Sequence, residues 1–179
     1  QVDKQGIILD ERSNAGGQAA NYITDVLSRE YLSGWKYRSD EMMFSTPAGA
    51  LHGPKVMLID QDAGSGGDFL PYAFKRLKLG TLIGKTTWGG LIGIYANRKF
   101  VDGGYVTVPN FRFFTPDLQW RVENEGVTPD IEVELDPVGV NQGKDPQLDR
   151  AIIEVQNQLK DYQPVVHQDA PAYPIELGK

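Results

Sequence analysis

The chain has 179 residues, a formal charge of −6, no cysteine and two histidines, with 40% hydrophobic and 23% charged residues. That length suits one domain with a substantial core. The missing cysteines exclude disulfides, thiolate metal sites and a cysteine nucleophile. The acidic balance argues against a nucleic-acid partner, and two histidines without helical His-x-x-x-His spacing argue against a zinc site. No apolar run approaches the ~20 residues of a membrane span, and nothing in the pattern asks for a cofactor.

In chain order, Gly6-Ile7-Ile8-Leu9-Asp10 reads as a short buried strand. A turn ending in Gly16-Gly17 leads to an amphipathic helix with Ala20, Ile23, Val26 and Leu27 at helical spacing. A second such unit runs from the strand Lys55–Gln61 through Asp62-Ala63-Gly64-Ser65-Gly66-Gly67-Asp68 into a helix over Phe69–Leu77. Lys75-Arg76-x-Lys78 reads as the wet face of that helix.

From Thr81 to Leu135 the sequence is strand-rich. Gly89 to Ile94 suits a loop or strand beside a site, and Gly103-Gly104 a hairpin turn before the strand Val106-Thr107-Val108. Leu118 to Glu123 alternates as a strand with Leu118, Trp120 and Val122 on one face, and Ile131 to Leu135 as another. Asp145-Pro146 opens a closing helix whose buried stripe is Ala151, Ile152, Val155 and Leu159. Residues 1–161 therefore read as the core domain. Residues 162–179 read as a proline-rich C-terminal arm that docks on another subunit or domain. The pattern alone gives an α/β fold, with sheet covered by helices.

The two turns carry the chemistry. A serine between a strand and a helix, among glycines, holds its Oγ in the open and lets a substrate approach. The helix start directs free N–H groups and partial positive charge at that spot. A nucleophilic serine needs such donors, because negative charge develops on its tetrahedral intermediate. In a parallel sheet both turns lie at the carboxyl ends of their strands, so one can supply the nucleophile and the other an oxyanion N–H. Each turn taken alone also fits a plain strand–helix connection, with Ser65 as an N-cap.

Several segments together form a longer pattern: Asp10-x-Arg12-x-Asn14-x-Gly16-Gly17, Ser65-Gly66-Gly67-Asp68, Gly84-Lys85-x-Thr87-x-Gly89-Gly90, and Val122-Glu123-Asn124-x-Gly126-Val127-x-Pro129-Asp130-Ile131. It resembles the tail-specific (C-terminal processing) serine peptidases and, within them, the catalytic core of tricorn protease and its homologues. The resemblance covers about Gly6 to Leu159. It implies a crotonase/ClpP-like ββα spiral core with a mixed sheet flanked by helices. It also implies a serine peptidase that cleaves unfolded peptides or oligopeptides by acyl-enzyme chemistry. Ser65 matches the nucleophile and Glu123 the orienting glutamate. The N–H of Gly66, with that of Gly16 or Gly17, matches the oxyanion hole. The serine–lysine members carry their lysine base where this chain has Gly90, in Thr87-Trp88-Gly89-Gly90-Leu91; Lys85 falls in a different column and reads as a surface lysine. The resemblance further implies that the catalytic histidine comes from an upstream domain of the same protein, that the protein forms homo-oligomers, and that it works in the cytoplasm, with export known among bacterial relatives.

Neither histidine of the chain replaces that base. The strand Lys55–Gln61 spans about 20 Å at roughly 3.3 Å per residue, which puts His52 at the opposite end from Ser65. His167 lies in a proline-rich tail, a poor mount for a general base. Without the resemblance Glu123 would read as a solvated carboxylate paired with Arg121, and Glu125 and Asp130 as loop charges. Asp68 complements the helix dipole and needs no catalytic role. Two alternatives remain at this point. One is an α/β-hydrolase-like esterase using Ser65 and His167; the other is a non-catalytic ligand-binding module on the same fold.

Overall fold

The computed structural model describes residues 4–38, 43–96, 99–166 and 169–173. Their centre is a four-stranded sheet of β1 (Ile7–Asp10), β4 (Lys55–Ile59), β5 (Thr81–Gly84) and β8 (Ile131–Glu132), in the order β1-β4-β5-β8 with every pairing parallel. Helices α1 (Ala19–Leu27) and α2 (Gly66–Arg76) follow β1 and β4, and the long α4 (Pro146–Asp161) is the last element among the described residues. Two antiparallel ribbons stand apart from the sheet: β2 (Ser33–Lys36) with β3 (Met43–Thr46), and β6 (Gly93–Ala96) with β7 (Thr107–Phe111). A short α3 spans Pro137–Asn141.

The central strand explains the layering. All five residues of β4 are buried, as a parallel strand covered on both faces must be. Met57 and Ile59 point with Leu82 into a cluster with Ala20, Leu27, Leu70 and Phe74 from α1 and α2. Val56 and Leu58 point with Ile83 to the other face, against Ala151 and Val155 of α4. Alternation along the strands thus builds two apolar layers, one on each side of the sheet. Phe74 is fully buried, and truncating such a ring costs about 3–5 kcal/mol.

Both strand–turn–helix units and the α4 start lie where the sequence pattern places them. Three expectations need correction. Leu118 to Glu123 is not a strand: it forms loop and turns, with Leu118 and Val122 at φ 61° and 74°. Leu118 and Trp120 are exposed and only Val122 is buried. Positive φ at two of the alternating positions is incompatible with extended backbone. The strand expected over Ile131–Leu135 pairs only through Glu132, with one further bond from Val133 N–H to Gly84 O. In α4, Ile152 lies on the exposed side of the stripe. The hairpin at Gly103 is present, with Gly103 at φ 84° and its N–H donating to Phe100 O.

Candidate active site

The carboxyl ends of β1 and β4 bring the two glycine turns into contact. Ser65 is the N-cap of α2 and holds φ 56°, ψ −114°, a conformation a side-chain-bearing residue adopts only under constraint. The constraint is Asp68, fully buried one turn into the helix. Its Oδ2 accepts from Ser65 N–H (2.9 Å) and Gly90 N–H (3.0 Å). Its Oδ1 accepts from Gly89 N–H (2.8 Å) and the Thr87 hydroxyl (2.5 Å). Ser65 N–H also reaches Gly90 O at 3.0 Å, and Thr87 Oγ1 accepts from Val127 N–H. One carboxylate therefore fixes the serine turn against the 87–90 segment.

The turn after β1 approaches from the other side. A Cβ on Gly16 would stand 2.6 Å from Ser65 Cβ and 2.9 Å from its Oγ, and one on Gly66 would stand 2.4 Å from Gly17 O. Only glycines allow these two backbones to meet. Gly16 N–H is taken up by Asn14 Oδ1 at 2.8 Å, whereas the N–H groups of Gly17 and Gly66 have no partner among the described residues. Those two amides border, with Ser65, a cleft of about 270 Å³ that is walled by Phe69, Leu91, Phe111 and Phe113.

Glu123, in the loop after β7, binds the segment that follows Gly90. It is half-buried, and its Oε2 accepts from Leu91 N–H (2.6 Å) and Ile92 N–H (2.8 Å). Its neighbour Asn124 donates N–H to Gly89 O at 2.7 Å. The pairing with Arg121 that Glu123 would have without the resemblance is not formed; Arg121 faces Glu125 at 3.7 Å instead. Asp130 is more than a loop charge: it accepts from Leu82 N–H and pairs with Lys75.

The remaining ionisable groups divide cleanly. Lys85 pairs with Glu132 and Glu134 at the surface, and these hydrogen bonds raise its pKa. That is the opposite of what a lysine base requires. A side chain at Gly90 would begin inside the ring of Trp88, which lies 2.2 Å from the Cβ position. His52 sits before β4, among the residues of a larger cavity at the far end of the sheet, with its pKa lowered by burial and by Lys55. His167 lies outside the described residues. Glu11, directly after β1, is buried, and that burial pushes its pKa up to about 7 against the lowering effect of its bond from Asn14.

Of the residues singled out by sequence reasoning, Ser65, Gly66 and Gly17 border the cleft, Gly16 packs against Ser65 just behind it, and Glu123 reaches only the backbone of Leu91 and Ile92 on its wall side. Sequence reasoning missed Asp68 as the hub and Asn14 as the brace of the second turn. The spacing Ser65-x-x-Asp68 is that of a capping box, which was the available signal for the first.

A serine held at a strained strand–helix turn, with one unpaired amide beside it at Gly66 and one facing it at Gly17, is the architecture of a serine-hydrolase core. Residues 1–133 match the model of Peptidase family S41, and the chain belongs to that family. It is 38% identical over 152 residues to Tricorn protease homolog 1 of Streptomyces coelicolor, covering 85% of this chain and 14% of that protein. It is also 38% identical over 162 residues to Tricorn protease of Thermoplasma volcanium, covering 90% and 16%. The chain thus spans only about a sixth of these relatives' length. A crystal structure of the tricorn protease superposes with a TM-score of 0.81 at 36% identity, over 89% of this chain and 16% of that one. The photosystem II D1 C-terminal processing protease does so with 0.50 at 26%, over 73% and 35%. The family and fold support a serine peptidase and do not favour the esterase or the ligand-binding module. No helix among the described residues is long and apolar enough to cross a membrane.

Proposed function

We propose that the chain is the catalytic core of a serine peptidase that cleaves peptides through an acyl-enzyme. The observation that carries this reading is the position of Ser65: strained, at a helix start, and flanked by the two unpaired amides of Gly17 and Gly66. Ser65 Oγ attacks the scissile carbonyl carbon, the carbonyl π electrons move to oxygen, and the N–H groups of Gly66 and Gly17 receive the oxyanion. Gly16 is the poorer candidate donor, because Asn14 already occupies its N–H. Collapse of the intermediate expels the protonated amine, and water then hydrolyses the ester by the reverse geometry.

The proton from Ser65 needs a base. His52 is at the wrong end of the sheet and Lys85 is committed to two glutamates; the resemblance to the tricorn-type peptidases implies a histidine from an upstream segment as the base. Glu123 fits the role of its orienter: Oε2 is anchored on Leu91 and Ile92, which leaves Oε1 to receive a partner from outside this chain. The peptide lies extended along the cleft as an added strand. The proposal extends to a cytoplasmic homo-oligomer in which the arm over residues 162–179 docks on another subunit or domain.

The test is peptide hydrolysis by the chain alone and by the chain co-expressed with its natural upstream segment, with Ser65→Ala as control. Activity that needs the upstream segment and vanishes in the variant supports the reading. Activity from the chain alone, lost in His167→Ala, would transfer it to the esterase-like arrangement. A folded pair with no activity would refute it.

A further inference from the structure

We propose that Glu11 is a positioning residue that, through the Asn14 side chain, sets the aim of the Gly16–Gly17 turn at Ser65. The inference rests on the peptidase reading for its purpose, though not for its physical content. Glu11 directly follows β1, with its N–H donating to Leu58 O at 3.0 Å, so its backbone is tied to the central strand. Its Oε1 accepts from Asn14 Nδ2 at 2.5 Å. The other end of the same amide, Oδ1, accepts from Gly16 N–H at 2.8 Å, and Asn14 O accepts from Gly64 N–H at 2.9 Å. Asn14 therefore touches both turns, and Glu11 holds Asn14.

The direction of the amide is what Glu11 controls. A carboxylate only accepts, so it takes the nitrogen end of Asn14 and leaves the oxygen for Gly16. With Gly16 N–H spent in this way, Gly17 N–H is the one left beside Gly66 at the mouth of the cleft. The charged groups around Glu11 are otherwise occupied. Arg12 binds Asp10 on the same strand and Asp145 at the start of α4. Asp60, after β4, accepts from the N–H groups of Ser13, Asp62 and Ala63. No cation pairs with Glu11 among the described residues, and Asp10 adds repulsion. Glu11 therefore titrates near neutrality, and ionisation strengthens a hold on Asn14 that any acceptor oxygen at this position makes.

The experiment is an NMR pH titration of the 15N-labelled chain through about pH 7. The Asn14 side-chain amide and the Gly16 and Gly17 backbone amides are expected to share one midpoint. Glu11→Gln removes that shared transition while the rest of the spectrum stays in place. Asn14→Ala leaves the Glu11 carboxyl titrating but disconnects Gly17 from it. A Gly17 amide that stays flat in the wild type, or titrates equally in Glu11→Gln, would overturn the proposal. With the upstream segment present, Glu11→Leu lowers kcat about tenfold with KM unchanged, and Glu11→Gln restores it, as expected for a misaimed oxyanion donor. A shared NMR transition in a protein that hydrolyses no peptide would leave the positioning role standing and remove the peptidase reading instead.

Discussion

The Ser65 turn and the Glu123 loop both hold the 87–92 segment, by different physics. The Ser65 turn is local. A buried apolar strand, a glycine-rich break and a helix N-cap follow one another, and the strained residue is braced by Asp68 three positions on. The Leu118–Asn124 loop closes its own turns, with Leu118 N–H on Thr115 O and Gly126 N–H on Val122 O, but these do not place Glu123. Leu118, Val122 and Asn124 all hold positive φ, between 61° and 74°, without a glycine among them. Glu123 itself is placed by distant backbone: Asn124 N–H on Gly89 O, Gly126 against Thr87 O, and Glu123 on Leu91 and Ile92. A strained serine can thus be written in seven consecutive residues, whereas the placement of its remote glutamate depends on the whole fold.

Removing the brace of the first region is expected to have the largest effect. Asp68→Ala leaves Gly89 N–H, Gly90 N–H and the Thr87 hydroxyl without their acceptor at a fully buried site, and Ser65 N–H with Gly90 O alone. Losses of that kind cost about 3–5 kcal/mol. Urea unfolding of the variant should show it, and a midpoint within error of wild type would mean that the hub is not structural. Because Asp68 also links both regions through Gly89 and Gly90, its loss releases the Glu123 loop as well.

The second turn offers a sharper comparison between two adjacent glycines. Gly16 and Gly17 hold nearly the same φ, 110° and 111°, so an alanine at either position is strained by about 1–3 kcal/mol. Only Gly16 is crowded. Its Cβ would strike Ser65, whereas the Gly17 position has nothing within 4 Å. Gly16→Ala should therefore be about 1–3 kcal/mol less stable than Gly17→Ala. It should also disturb Ser65 more in a serine-directed labelling assay with the upstream segment present. Equal stability of the two variants would show that the turns do not press on each other.

The two regions also differed in how much of them the sequence disclosed. β1, β4 and their helices were legible because apolar runs, glycine breaks and helical spacing coincide there. Glu123 was found only through the family pattern. Its alternating neighbours Leu118, Trp120 and Val122 read as a strand, but their φ values forbid one and tertiary hydrogen bonds override the alternation. Asp68 was read as a dipole partner, since a linear sequence does not show that Thr87, Gly89 and Gly90 fold back onto its carboxylate. Gly17 could not be separated from Gly16 until Asn14 was seen to consume one of the two amides.

A milder change tests the loop itself. Glu123→Gln keeps the shape and one acceptor oxygen but removes the charge that strengthens the bonds from Leu91 and Ile92. At this half-buried site the cost is about 1–2 kcal/mol. The Ser65 turn should be untouched, so hydrogen exchange is expected to quicken at Leu91 and Ile92 and stay slow at Ser65. Exchange quickening equally at Ser65 would mean that the two regions behave as one unit.

The smallest expected effect separates Glu11 from every other acid at the site. Its folded pKa is raised to about 7 from 4.5, chiefly by burial. Below pH 4.5 both the folded and unfolded chains carry the proton there, so this group does not affect stability. Between 4.5 and 7 the unfolded chain releases its proton first, and stability falls as pH rises. Above about 7 the penalty is complete and constant. Solvent screening at a site that is not fully enclosed reduces it to about 1 kcal/mol. Glu11→Gln has no such term, so its stability relative to wild type should improve by that amount from acid to alkaline pH. For a chain of this size the improvement is about 2–4 °C in melting temperature. A difference between variant and wild type that stays constant across that window would show that Glu11 is ionised throughout, stabilised by a partner other than Asn14.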